Sequence, residues 1–559
     1  MHLPPNELAV LHLLLARAGE IVAPLELSRA LGTETPGDGI ATCVASLRAR
    51  LRPADCIQSV YKRGYRFFAA VELAGLRPAG VLPRLAILPF ASGLGVPDYL
   101  GMAVTEETIE RLKSARCPIA SLVARDSVFA LAQRGMAPLE IGRALGADLV
   151  LIGLLLAAHK HDRLRAEMIR ANDGASLWVE DMFIKRDPSG ALSSELLSRL
   201  THRLHSGGVS ISAVAEPEAE IESPSHRSEA YHLYQRAHHE WQTLERHRMR
   251  DALGNLLRAI ELDPSLMPAR ADLADLAITQ ALYGVISPVI EAGMVRRAAE
   301  RIPLRAGNDA GENDPADALL PSLGWIDFHV DHNLRSALNA FARSAHLPHD
   351  LPTTRARVLF ALSRNRFREA IDLLREAIDL DPYSPWLLAR LAWALHLAGD
   401  SAASVAQILK ALALFPDNDS SLLFGAIILS YNGDGARVIE MSDSLAKRSA
   451  HFDHAAATDA YILASAGRGD EARELLEHLQ WLGHERFVQR SFKAAAYVAL
   501  GELDAALAAL RASRENRCPW FFQMIADPRL KPLWDHPEFQ AMRSIRPAME
   551  ADAEESAMD

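Results

Sequence analysis

The stretch Cys56-Ile-Gln-Ser-Val-Tyr-Lys-Arg-Gly-Tyr-Arg-Phe-Phe68 gathers Lys62, Arg63 and Arg66 around one glycine, inside a chain whose net charge is −11. Ile57 and Val60 before the glycine, and Tyr65 and Phe67 after it, alternate with polar residues as two short strands do. Gly64 supplies the positive φ of a tight turn, so the segment predicts a hairpin with a basic tip. From Arg48 to Arg66 the cations are Arg48, Arg50, Arg52, Lys62, Arg63 and Arg66, against the single acid Asp55. Salt screens charges beyond about 10 Å at 0.1 M, so a local basic patch on an acidic protein still meets phosphate.

Upstream of the hairpin the spacing predicts three helices. The first begins near Pro5, with Leu8, Leu11, Leu15 and Ala18 on one face, and stops at Gly19. The second follows Pro24 and ends at Gly32. The third runs from about Asp38, as N-cap, to Leu51, with an apolar stripe of Ile40, Val44, Leu47 and Leu51. Its other face carries Thr42, Ala45, Ser46, Ala49 and Arg50, small side chains with a basic end. Three helices and a two-stranded wing are the order of a winged helix.

The strings Leu3-Pro-Pro-Asn-Glu-Leu-Ala-Val-Leu11, Ala18-Gly-Glu-Ile-Val22, Val44-Ala-Ser-Leu-Arg-Ala-Arg-Leu51 and the hairpin itself resemble the C-terminal DNA-binding domain of OmpR/PhoB-type regulators. The resemblance implies that the third helix enters the major groove and the wing meets the neighbouring backbone or minor groove. Position by position it places Ala45, Ser46 and Arg48 among the recognition residues and Ser59, Tyr61 and Arg63 on the wing. Thr42, Arg50, Arg52, Lys62 and Arg66 complete the expected DNA-binding set. Two departures stand out: no counterpart of that family's opening sheet precedes Leu3, and Ala45 and Ser46 replace longer polar groups.

This domain is expected over residues 1–72, with a Pro/Gly linker over 73–83. From Arg84 the pattern alternates between strand and helix: strand 85–90, helix 98–114, strand 119–123, helix 138–145, then strands 149–156, 163–170 and 176–184. The phrases Ala86-Ile-Leu-Pro-Phe90, Val104-Thr-Glu-Glu107, Leu145-Gly-Ala-Asp-Leu-Val-Leu-Ile-Gly153 and Leu177-Trp-Val-Glu180 resemble the TolB-like module, which implies an α/β domain over residues 84–205 and no transferable catalytic residue. A polar linker follows over 206–227.

The rest is helical and repetitive. A small, large, small, proline pattern recurs as Ala252, Leu256, Ala259, Pro264; as Ala370, Leu374, Ala377, Pro382; and as Ser404, Ile408, Ala411, Pro416. The last two sets lie 34 residues apart, the tetratricopeptide period. Fainter copies sit at Ala337, Phe341 and Ser344, and near Ala472 and Leu476. Residues 228–545 are therefore expected to form one superhelix in which each repeat touches only its neighbours, with a concave groove for a protein; 546–559 form an acidic tail.

Other chemistries find little support. The four cysteines, Cys43, Cys56, Cys117 and Cys518, lie far apart without metal-ligand spacing, which points to a reducing compartment. Among the 21 histidines, the clusters His238-His239-Glu240 and His159, His161, Asp162 lack a spaced pair with a third ligand and read as solvated or structural. Gly93 and Gly95 lack the rest of a phosphate loop. Glu106 and Glu107 read as helix-surface acids, and no nucleophile motif is present. The expectation is no enzyme, no cofactor and no metal. The longest apolar run, 149–158, is half of a bilayer span and reads as a buried strand, so a cytoplasmic protein without a membrane segment is expected. Trp386, Trp393, Trp520, Phe521, Phe522 and Trp534 read mostly as inter-helix packing.

The order winged helix, TolB-like domain and repeats, together with Pro519-Trp-Phe521 and Asp527-Pro-Arg-Leu530, resembles the HilA-like invasion-gene activators as a whole. The resemblance implies an activator of virulence or secretion genes, bound to double-stranded promoter DNA, with a polymerase, a regulator or a second copy on its repeats. Two other readings stand beside it: a repeat scaffold whose degenerate winged helix no longer binds DNA, and a regulatory fragment related to cyclases, for which no stretch is left to form the cyclase domain.

Overall fold

The computed structural model describes residues 7, 10–11, 13–14, 21–30, 38–50, 56–60, 63–67, 83–114, 121–157, 161–185, 226–300, 317, 319–347, 351–434, 438, 441 and 453–550. They divide into two compact units, Met1–Val81 and Leu82–Asp559.

In the first unit the described residues between 7 and 14 are helical, and Val10, Leu11 and Leu14 face the core. Of the expected stripe Leu11 is buried, and Leu8, Leu15 and Ala18 lie outside the described residues. Helix α1 (Pro24–Ala30) is closed at its start by Glu26, whose carboxylate accepts from the Ala23 amide at 3.1 Å. Helix α2 (Asp38–Arg50) buries Ile40, Val44 and Leu47, the 3.6-residue stripe that its sequence predicts. Strands β1 (Ile57–Val60) and β2 (Gly64–Phe67) pair antiparallel in the register Ile57↔Phe67 to Val60↔Gly64.

Gly64 does more than turn the chain. Val22 bridges to Tyr65 as a third strand, its amide donating to the Tyr65 carbonyl at 2.8 Å and its carbonyl accepting from Tyr65 at 3.1 Å. A Cβ on Gly64 would sit 2.0 Å from the Val22 carbonyl oxygen, and its φ is +136°. Only glycine permits both the backbone angle and this approach.

The second unit opens with a six-stranded mixed sheet in the order β5-β3-β6-β7-β8, with β4 also on β6. These are β3 (Arg84–Ile87), β4 (Ala91–Ser92), β5 (Ser121–Leu122), β6 (Leu149–Leu156), β7 (His161–Arg170) and β8 (Ser176–Lys185). Strands β3, β4 and β5 run parallel to their partners, and β6, β7 and β8 antiparallel. β6 is apolar almost throughout because it lies between β3 and β7, and Leu149, Val150, Leu151 and Leu155 are buried. Gly153 interrupts that run where the Phe90 ring lies against the strand, 2.5 Å from where a Cβ would stand. Helices α3 (Asp98–Ser114), α4 (Arg125–Gln133) and α5 (Pro138–Ala144) accompany the sheet. Helix α4 is additional to the sequence reading, which leaves 124–137 unassigned.

From His226 the chain is helical. Hairpins of helices include His226–Gln242 with Arg246–Leu262, Leu351–Ser363 with Phe367–Leu380, Pro385–Leu397 with Ser401–Leu414, and Asp453–Ser465 with Gly469–Glu485. The repeated small residues are the contact points: Ala252, Ala259, Ala370, Ser404 and Ala411 are fully buried, and so are Leu256, Leu374 and Ile408 between them.

The array departs from the expectation that each repeat meets only its neighbours. Trp520 Nε1 donates to the Leu282 carbonyl at 2.8 Å, and Gln489 Nε2 to the Ala281 carbonyl at 2.8 Å, across more than 200 residues in both cases. The Tyr283 ring packs edge-on to His454 at 5.3 Å, and Arg246 reaches Asp453 at 3.7 Å. The final helices thus fold back on the early repeats, because 520–522 supply three consecutive large aromatics that an open array leaves in water. The expected open groove is narrowed by the chain itself.

Candidate nucleic-acid interface

On α2, Thr42, Ala45 and Ala49 are exposed and Ser46 and Arg48 are half-buried, so the face opposite the Ile40-Val44-Leu47 stripe presents small groups to solvent. Ser46 Oγ donates to the Glu7 carboxylate at 2.9 Å. Burial, and then Glu7, push the Cys43 thiol above its usual range. Arg48 reaches across to the wing: Nε and Nη2 donate to the Ile57 carbonyl at 2.9 and 2.8 Å, and Nη2 donates to Ser59 Oγ at 2.8 Å. This guanidinium therefore braces the helix against β1 and sets the angle between them. Arg66 donates to the Gln58 side chain across the hairpin at 2.6 Å. Arg63 is exposed beyond the turn, where its amide donates to the Val60 carbonyl at 3.0 Å. Arg52, Tyr61 and Lys62 lie outside the described residues, and Arg50 ends α2. Arg48 and Ser59 meet across a sequence separation of 11 residues, whereas Arg66, opposite Gln58 in the hairpin register, lies on the other face of the wing and Ser46 turns to Glu7.

The second unit holds a half-buried ionic cluster that sequence reading missed. Glu106 on α3 pairs with Arg125 on α4 and with His238 on the helix His226–Gln242, and His238 Nδ1 lies 2.6 Å from Asp272 of the next repeat. Arg125 also donates to Gln242 at 2.8 Å. Burial opposes ionisation of Glu106, but His238 and Arg125 outweigh it and hold its pKa at about 2. Glu106 is thus a half-buried junction residue and not the helix-surface acid expected. Beside it the Ser127 amide donates to Asp381 at 3.0 Å, and burial, then Asp126, push Asp381 up to about 7. No line of sequence links 106, 238 and 272, so nothing short of the fold reveals the cluster.

Among the described residues no group of His, Cys, Asp or Glu could hold a metal ion, and no helix is long and apolar enough to cross a membrane.

Two families match parts of the chain: "Transcriptional regulatory protein, C terminal" matches residues 1–67, and the tetratricopeptide repeat family matches 361–423. The chain is similar to the transcriptional regulator HilA of Salmonella typhimurium, 23% identical over 394 residues, 68% of this chain and 67% of that one. It is also 28% identical, over 199 residues, to a Rhizobium meliloti chain carrying the name adenylate cyclase 3; that match spans 35% of this chain and 33% of the relative. Among solved structures, yeast Tom70 aligns with a TM-score of 0.35 at 14% identity, over 64% of this chain and 78% of that one.

Proposed function

We propose that this protein is a transcriptional activator of virulence or secretion genes that binds promoter DNA through α2 and the β1-β2 wing and recruits a protein through its repeats. The observation that carries the reading is the winged helix itself: an exposed face of small residues on α2 beside a wing whose exposed tip carries Arg63. Small groups let the helix backbone approach a groove, and the flanking cations neutralise phosphates. The likeness to HilA supports the activator role, and the phrases around Ala86, Leu145 and Leu177 support a TolB-like module between DNA and partner. Such a regulator works in the cytoplasm, where its DNA is. Its partner, a polymerase, a regulator or a second copy, meets the outer surface of the array, since long-range contacts narrow the inner one.

The net charge of −11 favours one second reading, a scaffold whose winged helix holds a protein. Fluorescence anisotropy of the full chain on duplex DNA, at several salt concentrations and beside a Lys62→Ala, Arg63→Ala, Arg66→Ala triple variant, separates them. Binding that weakens with salt and largely vanishes in the variant supports the DNA reading. Absence of binding at low salt by a folded chain refutes it and leaves the scaffold.

A further inference from the structure

Where the final helices close on the early repeats, they leave a cavity of about 80 Å³. Its walls include Tyr283, Arg355, Trp386, Phe424 and Trp520, and Arg390 lies among them. Arg390 is 4% exposed, and its Nε and Nη1 atoms have no hydrogen-bond partner. Its guanidinium stacks on Phe424 at 4.8 Å and on Trp386 and Trp520 at 5.2 Å each. Ring faces stabilise the plane of a guanidinium but leave its in-plane N–H groups unsatisfied.

One carboxylate, Asp419 in the first turn of the helix Asp419–Tyr431, also lines the cavity, and the other charges nearby are matched. Arg355 donates to both oxygens of Asp275 at 2.9 and 2.8 Å. Asp453 is held by Arg486 at 2.8 and 2.7 Å. Burial, then Arg246, lowers His454 to about 3, so it is neutral near pH 7. Arg390 forms no ion pair among the described residues, and burial, partly opposed by Tyr283, brings its pKa down to about 9. A buried cation without a counter-charge is costly, and the chain bears that cost at the wall of a cavity lined by rings.

We propose that this cavity binds a small aromatic monocarboxylate, its carboxylate accepting from the unpartnered N–H groups of Arg390 and its ring lying among Trp386, Phe424 and Trp520. One unmatched cation selects one negative charge, since a second would be buried unpaired. The rings select an aromatic body. The volume, closed by Trp520 on Leu282, selects a small molecule over a peptide strand. The inference stands independently of DNA binding.

Titration of the full chain with benzoate, phenylacetate and indole-3-acetate, read by tryptophan fluorescence and by calorimetry, tests it, with benzamide as the neutral isostere of benzoate and acetate as the ringless acid. At least one aromatic acid binds saturably, and benzamide and acetate bind about tenfold more weakly or not at all. Arg390→Met abolishes that binding while circular dichroism and Tm are kept or raised, because it removes an unpaired buried charge. Should Arg390→Met not fold, Trp386→Leu, at a half-buried wall position, weakens the aromatic acid several-fold in a folded chain. Absence of saturable binding by all three acids, equal binding of benzamide, or full binding by folded Arg390→Met or Trp386→Leu overturns the proposal.

Discussion

The winged helix and the repeat array use arginine in opposite ways. In the first unit Arg48 and Arg66 are half-buried and bond to neutral groups, the Ile57 carbonyl and the Gln58 and Ser59 side chains, while Arg63 stays exposed at the tip. Arg63 thus presents its side chain to solvent. In the array Arg355, Arg486 and Arg529 are each paired with a buried carboxylate, whereas Arg390 is stacked among rings. A surface meant for phosphate needs positive charge that no internal acid neutralises, whereas an array folded back on itself must neutralise what it buries. The same residue type thus marks an interface in one unit and a joint in the other.

The contrast breaks most forcefully at Asp527. Its oxygens accept from Arg529 Nε at 3.1 and 3.0 Å and from Nη2 at 2.7 Å, and the pair is 0% and 1% exposed. Asp527→Ala strands a buried guanidinium and should cost the array about 3–5 kcal/mol. Calorimetry should show the larger unit's transition fall sharply; an unchanged Tm contradicts the buried pairing. Gly64→Ala comes next. With φ at +136° and the Val22 carbonyl in the way, it should cost the winged helix about 3 kcal/mol and separate Val22 from Tyr65. A near-native melt would show that the approach is looser than described.

Smaller effects sharpen the picture through pH. Burial opposes the charge on His238, but Asp272 and Glu106 outweigh it, so its folded pKa lies well above 6.5. That stabilisation is fully present below pH 6.5 and is lost as pH rises through the folded value. Asp381 has the opposite sign. Raised from 3.8 to about 7, it binds its proton more tightly when folded, so its contribution improves as pH falls from about 7 toward 4. Both make the junction between sheet and repeats weaker in alkali. His238→Asn and Asp381→Asn should each flatten part of the fall in Tm from pH 6 to 9, and a slope unchanged in both variants rules out the junction as its source. Least of all, Arg63→Ala should leave stability within about 0.5 kcal/mol and reduce the salt slope of DNA binding by about one.

Much of this was legible in sequence because the signals are local. Helix 98–114 and strand 149–156 have the bounds their patterns predict, and the Ala370 and Ser404 repeats fall in helices starting at Phe367 and Ser401. The missed features depend on residues far apart. Helix α4 lacks a strong start signal: its N-cap is Ala124, without a side-chain bond. Arg48 shows its bond to Ile57 only once helix and wing are placed side by side. The closure of the array through Trp520 and Leu282 spans 238 residues, which no periodicity encodes. Arg390 is one arginine within an apolar helix, and the three rings around it come from three different helices or turns, so no local pattern singles it out.

The cluster of Glu106, Arg125, His238 and Asp272 also bears on descent. Two of these residues belong to the sheet domain and two to the first repeats, and the Glu106–His238 pair joins the halves, beside the Arg125–Gln242 hydrogen bond. A recombination event falling between the halves would break that pair and that hydrogen bond, leaving Glu106 with Arg125 and His238 with Asp272. Sheet and early repeats therefore gain from being inherited together, whereas the winged helix is a separate compact unit ending at Val81.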